Sequence, residues 1–322
     1  MSTVSFLEVV RPGLDRVEAM LQELAHVEYP LLANILSDLF AGGGKRLRPA
    51  LVFLAAGFGQ CDPERVATLA TAVELTHTAT LVHDDLIDNS LLRRGNPTIN
   101  TVWHGGVVVL VGDYIFGKAA ELASTVEVVA IGKLYAQTLA IISEGELRQA
   151  FTARSWQQSE EEYYRRIYAK TASLFAASSE SGAILSEQPP ENQTHLREYG
   201  RNLGMAFQVV DDILDFVGKE SELGKPVGSD LRQGTVTLPV IYYMQEHAED
   251  RSIREVVEGG YSDEERLWAA VQAIRTSTVI ERSYRAARSF AQAARDALDT
   301  FPDTEYRRAL LDLADYSVDR TH

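Results

Sequence analysis

The sequence predicts an all-α protein. Apolar positions recur at helical spacing over long segments, and alternating β-branched runs bounded by turns are scarce. Two acidic segments also repeat with carboxylates four residues apart, a spacing that a helix brings onto one face. Residues 14–40 read as helical with a break near Pro30. Gly42-Gly43-Gly44 ends that region, and Pro49 falls in the first turn of the next helix, where a proline is tolerated. A helix over 64–92 carries the first acidic segment and stops at Gly95-Asn96-Pro97. Further helices cover 113–122, 128–152, 159–185 and 195–217, with Gln188-Pro189-Pro190-Glu191-Asn192 the clearest loop between helices. Residues 218–234 form a longer polar loop whose length suggests a lid. Ser262-Asp263-Glu264-Glu265 is a capping box that opens another helix, and 303–318 is the last. No linker divides the chain, so residues 1–322 are expected to form one domain.

With 322 residues, 45% of them hydrophobic, the chain can bury a substantial core. One cysteine, Cys61, excludes an intramolecular disulfide and fits a reducing compartment. The segment from Met1 has no basic region followed by an apolar one, and the apolar run over 50–56 is too short to span a bilayer. A soluble, cytoplasmic protein is expected, with at most peripheral membrane contact. The net charge of −15 argues against nucleic-acid partners, which call for a basic face.

Val82-His83-Asp84-Asp85-Leu86-Ile87-Asp88 recurs almost letter for letter as Val209-Val210-Asp211-Asp212-Ile213-Leu214-Asp215. Asp84 and Asp88 share one helix face, as do Asp211 and Asp215. Like charges at that spacing repel by roughly 0.2–0.5 kcal/mol on an exposed helix and by more when partly buried. A cation between the carboxylates removes that cost. Oxygen ligands without a Cys or His cluster favour a hard ion, and Mg2+ held by few carboxylates completes its shell with water and phosphate oxygens. Two such helices facing each other across a cavity would make a magnesium diphosphate site.

Basic groups accompany the acidic ones. Gly43-Gly44-Lys45-Arg46-Leu47-Arg48-Pro49 places cations beside glycines at a helix start, where backbone N–H groups and the helix dipole favour an anion. His77 lies two helical turns before Asp84, and Arg93 and Arg94 follow the acidic helix. The arginines also suit the helix dipole, a contribution of only about 0.3–1 kcal/mol. Glu144-Gly145-Glu146-Leu147-Arg148-Gln149 is amphipathic and reads equally well as a helix surface. Lys170-Thr171 lies in a small-residue helix where a buried lysine needs an anionic partner. Gln208 precedes Asp211 by three residues on its metal-facing side, and Lys225 and Asp230 sit in the loop.

The order GGKRLRP, HTATLVHDDLID, RRG, GE-x-x-Q, KT, FQVVDDILD, GKPVGSD, TLP resembles that of the trans-isoprenyl diphosphate synthases, or polyprenyl synthetases, from Gly43 to Pro239. The resemblance implies an isoprenoid-synthase-type helical bundle around a central cavity, usually a homodimer. It also implies Mg2+-dependent head-to-tail joining of isopentenyl diphosphate to an allylic diphosphate. Carried over by position, Lys45, Arg48, His77 and Arg94 match the isopentenyl diphosphate pocket. Arg93, Lys170, Thr171, Gln208 and Lys225 match the surroundings of the allylic diphosphate. Asp84, Asp88 and Asp211 match the principal metal ligands, with Asp85 and Asp215 supporting or water-mediated. Asp84, Asp85, Asp88, Arg93, Lys170, Asp211, Asp212 and Lys225 are thus the expected catalytic set. One departure stands out: Thr235 occupies the place of a lysine common in the family after the loop, with Arg232 the nearest candidate to replace its charge.

Two other readings compete. A class I terpene cyclase ionises an allylic diphosphate in the same way but has no use for a second anion pocket. A regulatory subunit of a heteromeric synthase would be expected to lose acidic motifs that are intact here. The family places the fifth residue before the first aspartate in the product tunnel, and that residue is Ala79. With Thr80 next to it, this small residue points to a hexaprenyl to decaprenyl product, with geranylgeranyl diphosphate the runner-up. An ideal helical wheel instead aims Thr80 and Thr76 down the Asp84 face and turns Ala79 aside.

Overall fold

The computed structural model describes residues 5–93, 96–152, 154–218, 226–259 and 264–320. The expected positions Arg94 and Lys225, residues 219–225 of the lid loop and the first half of the Ser262 capping box lie outside them.

In chain order the helices are α1 (Ser5–Glu8), α2 (Arg11–Ala25), α3 (Pro30–Ala41), α4 (Leu47–Ala56) and α5 (Pro63–Ile87). A short hairpin of β1 (Leu92–Arg93) and β2 (Asn96–Pro97) follows, antiparallel, with Leu92 opposite Pro97. Then come α6 (Gly105–Thr125), α7 (Val129–Thr152), α8 (Glu160–Ile167), a π-helical turn (Tyr168–Ala172), α9 (Ser173–Leu185) and α10 (Pro190–Val217). The remainder is α11 (Ser229–Arg232), α12 (Leu238–Glu246), α13 (Ser252–Gly259), α14 (Glu264–Arg275), α15 (Val279–Asp296) and α16 (Glu305–Asp319). The all-α expectation holds. None of the described helices is long and apolar enough to cross a membrane.

Contacts divide the chain into two compact units, each drawn from separate stretches of sequence. The first comprises Met1–Thr138, Leu174–Gly200 and Leu298–Asp312; the second comprises Leu139–Ser173, Arg201–Ala297 and Leu313–His322. The chain passes between them inside helices α7, α9, α10 and α16 and in the turn that follows α15.

The first unit is organised on α5. Asp62 caps this helix by accepting the Glu64 N–H at 3.0 Å, and Pro63 takes the first position, where its missing N–H costs nothing. Its stretch over 66–76 is buried on nearly every side, as expected of a helix that lacks a polar face. It packs mainly against α6, and against α4 and α2. Gly112 of α6 permits the closest approach, because a Cβ there would fall 2.1 Å from His83 Nε2. The second unit has a core around Val209, Ile213, Phe216, Val240, Ile253, Val271 and Val279, all fully buried.

Four boundaries depart from the sequence reading. Helix α5 ends at Ile87 instead of continuing to 92. Asp88 caps it, Asn89 takes φ 50°, and the chain turns into the hairpin. Asn adopts that left-handed conformation more readily than most residues. Helix α10 begins at Pro190, inside the expected loop, where it serves as a first-turn proline. Helix α6 begins at Gly105, eight residues before the expected start at 113, since its Gly-Gly-Val-Val-Val opening resembles a strand or turn. The expected 159–185 helix is interrupted by the π-turn at Tyr168–Ala172.

Candidate active site

Each unit carries one acidic motif with its own supporting residues. In the first unit the chain enters α4 through Gly43 (φ 61°) and Arg46 (φ 47°). Arg46 is held in this left-handed conformation by Glu18 and Glu74, each 2.6 Å from its guanidinium, and by the Phe40 carbonyl at 3.3 Å. With a side chain only 9% exposed, Arg46 is therefore an internal anchor of the basic turn. Lys45 stays exposed, while the Arg48 guanidinium lies 4.6 Å from the Phe175 ring centroid. His77 is half-buried, and its carbonyl accepts a hydrogen bond from the Thr80 hydroxyl at 2.7 Å.

The carboxylates of Val82–Asp88 are placed unequally. Asp84 and Asp88 are half-buried, and the Asp88 N–H donates to the Asp84 carbonyl at 2.8 Å. Asp85 points inward, its side chain 9% exposed, and receives Arg93 Nε at 2.9 Å on both oxygens and Nη2 at 2.7 Å. The early end of α5 makes this possible, since the hairpin turns Arg93 back onto the helix. Burial works against the Arg93 charge, but the hydrogen bonds and charge of Asp85, with Asp84 and Asp88 beyond, outweigh it and raise its pKa. Arg93, expected beside the allylic diphosphate, is engaged by Asp85.

The second unit repeats the division of labour with other partners. Asp211 keeps a side chain 43% exposed and pairs with Arg320 at 2.7 Å. Asp212 is buried, accepting the Tyr163 hydroxyl at 2.7 Å and Gln208 Nε2 at 2.8 Å. The Thr171 hydroxyl donates to Gln208 Oε1 at 2.7 Å, extending the chain to the π-turn. Burial and the nearby Asp230 push the Asp212 carboxyl up to about 7, while the hydrogen bonds from Tyr163 and Gln208 and the charge of Arg166 restrain the rise. Gln208 thus faces Asp212, one turn away, and not Asp211.

Asp215 differs from its counterpart Asp88. It is fully buried, its Oδ2 accepts the Asp230 N–H at 3.0 Å, and its carbonyl accepts the Gly228 N–H at 2.8 Å. The expected metal ligand is here the anchor that draws the end of the loop onto α10. Lys170 finds its anionic partner in Glu146 at 2.9 Å, so the Gly145-Glu146 segment is more than a helix surface. Gly145 allows this approach, because a Cβ there would fall 2.5 Å from that of Ala169. Thr235 donates its N–H to the Asp230 carbonyl at 2.9 Å, and Arg232 pairs with Glu264.

Tyr163, Glu146 and Arg320 were not singled out by sequence reasoning. Only Glu146 carried a local signal, its place in the GE-x-x-Q segment. Among the described residues no three His, Cys, Asp or Glu side chains converge as a preformed metal cage. The donors present nevertheless suit Mg2+, since Asp84, Asp88 and Asp211 offer partly exposed carboxylate oxygens and a hard ion completes its shell with water and phosphate.

In the first unit a small apolar cavity lies farther along α5. It is lined by Leu69, Val73 and Thr76 with Tyr135, Leu174 and Ala177 among others. The Thr76 and Tyr135 hydroxyls hydrogen-bond at 3.2 Å at its wall. Thr76, which the helical wheel aims down the Asp84 face, lines this cavity, whereas Ala79 is fully buried and does not.

The polyprenyl synthetase family model matches residues 29–274. The chain is 41% identical to heptaprenyl diphosphate synthase component 2 of Geobacillus stearothermophilus, covering 94% of each chain. A polyprenyl synthase from Caulobacter crescentus CB15, crystallised with calcium and isoprenyl diphosphate, superposes with a TM-score of 0.95 at 34% identity over 100% of this chain and 98% of that one. A decaprenyl diphosphate synthase from Rhodobacter capsulatus superposes at 0.92 with 37% identity over 100% of both chains. The resemblance read from the ordered motifs is thereby confirmed, and the chain belongs to the polyprenyl synthetase family of trans-prenyltransferases.

Proposed function

We propose that this chain elongates an allylic diphosphate by head-to-tail addition of isopentenyl diphosphate, with Mg2+ as its metal, to an all-trans product of six to ten isoprene units. The observation that carries the reading is the unequal placement within each motif. Asp84 and Asp211 stay accessible at its head, while Asp85 and Asp212 are buried and locked by partners from their own unit. A purely structural pair of acidic helices would gain nothing from leaving those first carboxylates accessible.

Asp84, Asp88 and Asp211 are the proposed Mg2+ ligands. When bound, the metal neutralises charge that gathers on the allylic diphosphate as the C–O bond breaks. Lys170, steadied by Glu146, and Lys225 add positive charge to the departing diphosphate. Lys45, Arg48, His77 and Arg94 hold the isopentenyl diphosphate, so that its double bond attacks the allylic cation without a separate encounter. The new C–C bond forms, a proton leaves the adjacent carbon, and released diphosphate accepts it, since no side chain assigned here is a suitable base. Arg93, Thr171 and Gln208 act by orienting Asp85 and Asp212.

The product length is supported by relatives named for heptaprenyl and decaprenyl synthesis and by the small residues along α5. We further propose a homodimer in the cytoplasm. A heteromeric enzyme is the second reading, favoured by the words "component 2" in the Geobacillus relative's name. Incubation of the purified chain with Mg2+, farnesyl diphosphate and labelled isopentenyl diphosphate, followed by product chromatography, tests the proposal. Stepwise elongation supports it. Cyclised hydrocarbons or unreacted substrate refute it, and activity that appears only with a second protein favours the heteromer.

A further inference from the structure

Arg320 follows α16 and lies against Asp211. Its Nη1 is 2.7 Å from Asp211 Oδ1, Nη2 donates to the Phe207 carbonyl at 2.5 Å, and Nε donates to the Ser317 carbonyl at 3.3 Å. The guanidinium carbon sits 3.6 Å from the centroid of the Phe207 ring, one helical turn before Asp211 on α10. The arginine side chain is 4% exposed, while that of Asp211 is 43% exposed. A guanidinium fixed by two carbonyls and a ring is poorly suited to swing away as a gate. It also leaves the carboxylate accessible. Burying such a cation without a paired anion would be costly, so the pairing with Asp211 is part of the fold.

We propose that Arg320 is a positioning residue for the second acidic motif. By holding one oxygen of Asp211 it fixes the side-chain rotamer, and so presents the carboxylate to a divalent ion without further ordering. Outer partners that orient metal-binding groups are often worth tenfold or more in affinity. The inference rests on the reading of Asp211 as a metal ligand.

The experiment uses the full chain with Mn2+ and inorganic diphosphate, following bound Mn2+ by electron paramagnetic resonance alongside the melting curve. Arg320→Met keeps apolar bulk over Phe207 and removes the charge and donors. It should weaken Mn2+ binding by about 10- to 100-fold. Arg320→Lys restores the charge without the forked geometry and should lie between, about three- to tenfold weaker than the parent. Should Arg320→Met fail to fold, the lysine variant carries the test alone, and parity with the parent overturns the proposal. A folded Arg320→Met that binds Mn2+ as tightly as the parent, or more tightly, also overturns it and leaves Arg320 an anchor of α16 or a competitor of the metal. A parent chain that takes up no Mn2+ with diphosphate instead refutes the functional reading, and this inference falls with it.

Discussion

Replacing Arg93 by Met separates two roles that the sequence could not distinguish, phosphate ligand and partner of Asp85. Three contacts of 2.7–2.9 Å join the guanidinium to a carboxylate whose side chain is 9% exposed. Breaking a fully buried pair costs about 3–5 kcal/mol, whereas an exposed pair contributes about 0–1 kcal/mol. The Arg93 side chain is 39% exposed, so water screens part of the interaction and the loss is expected near 2 kcal/mol. The assay is urea unfolding of the metal-free protein for the parent, Arg93→Met, Asp85→Asn and the double variant, arranged as a cycle. A coupling of about 1.5–2 kcal/mol is expected. A coupling below about 0.5 kcal/mol, with a raised KM for the allylic substrate, would refute the reasoning and return Arg93 to the phosphate.

Further outcomes follow from the same geometry. Lys45→Ala and Arg48→Ala should chiefly raise KM for isopentenyl diphosphate, while Lys170→Ala should chiefly lower kcat with the allylic substrate. Steady-state kinetics with each substrate varied would contradict this if every variant changed both Michaelis constants alike. Thr76→Phe should fill the cavity beside Tyr135 and shorten the product more than Ala79→Tyr does, read by product chromatography; unchanged lengths from an active Thr76→Phe enzyme would exclude this cavity from length control. Tyr163→Phe removes the hydroxyl that favours ionised Asp212, so the variant's carboxyl titrates above the parent value of about 7. The parent's advantage is therefore small below that pH and grows as pH rises through it, reaching about 1.5–3 kcal/mol. Calorimetry should show a larger loss of Tm in alkaline than in mildly acidic buffer, and a loss that shrinks with rising pH would contradict the assignment.

The residues that were legible in the sequence share a reason for being so. Asp84 with Asp88, the Gly-rich turn before Arg48, and Lys170-Thr171 announce themselves through spacing along one helix or beside it. Their partners do not. Tyr163 meets Asp212 from 49 positions away, and Arg320 reaches Asp211 from just past α16, much later in the chain. Nothing local in either sequence marks the pairing. The same limit explains Asp215, which occupies the position of Asp88 in its motif but is buried by the returning segment at Asp230. Arg46 looked like a third phosphate-binding cation because Glu18 and Glu74, which capture it, lie 28 residues to either side. The early end of α5 depended on one asparagine in a left-handed conformation, and from it followed the fold-back of Arg93.

Turnover of Asp84→Ala and Asp211→Ala, measured in Mg2+ with farnesyl and isopentenyl diphosphates, tests the central claim that the first carboxylate of each motif binds metal. Both should fall by several orders of magnitude with helical content intact. In the metal-free protein, Asp211→Ala should also lower Tm, because it strands buried Arg320. If either variant retained turnover within about tenfold of the parent, or about 1.4 kcal/mol of transition-state stabilisation, that carboxylate would not be a metal ligand.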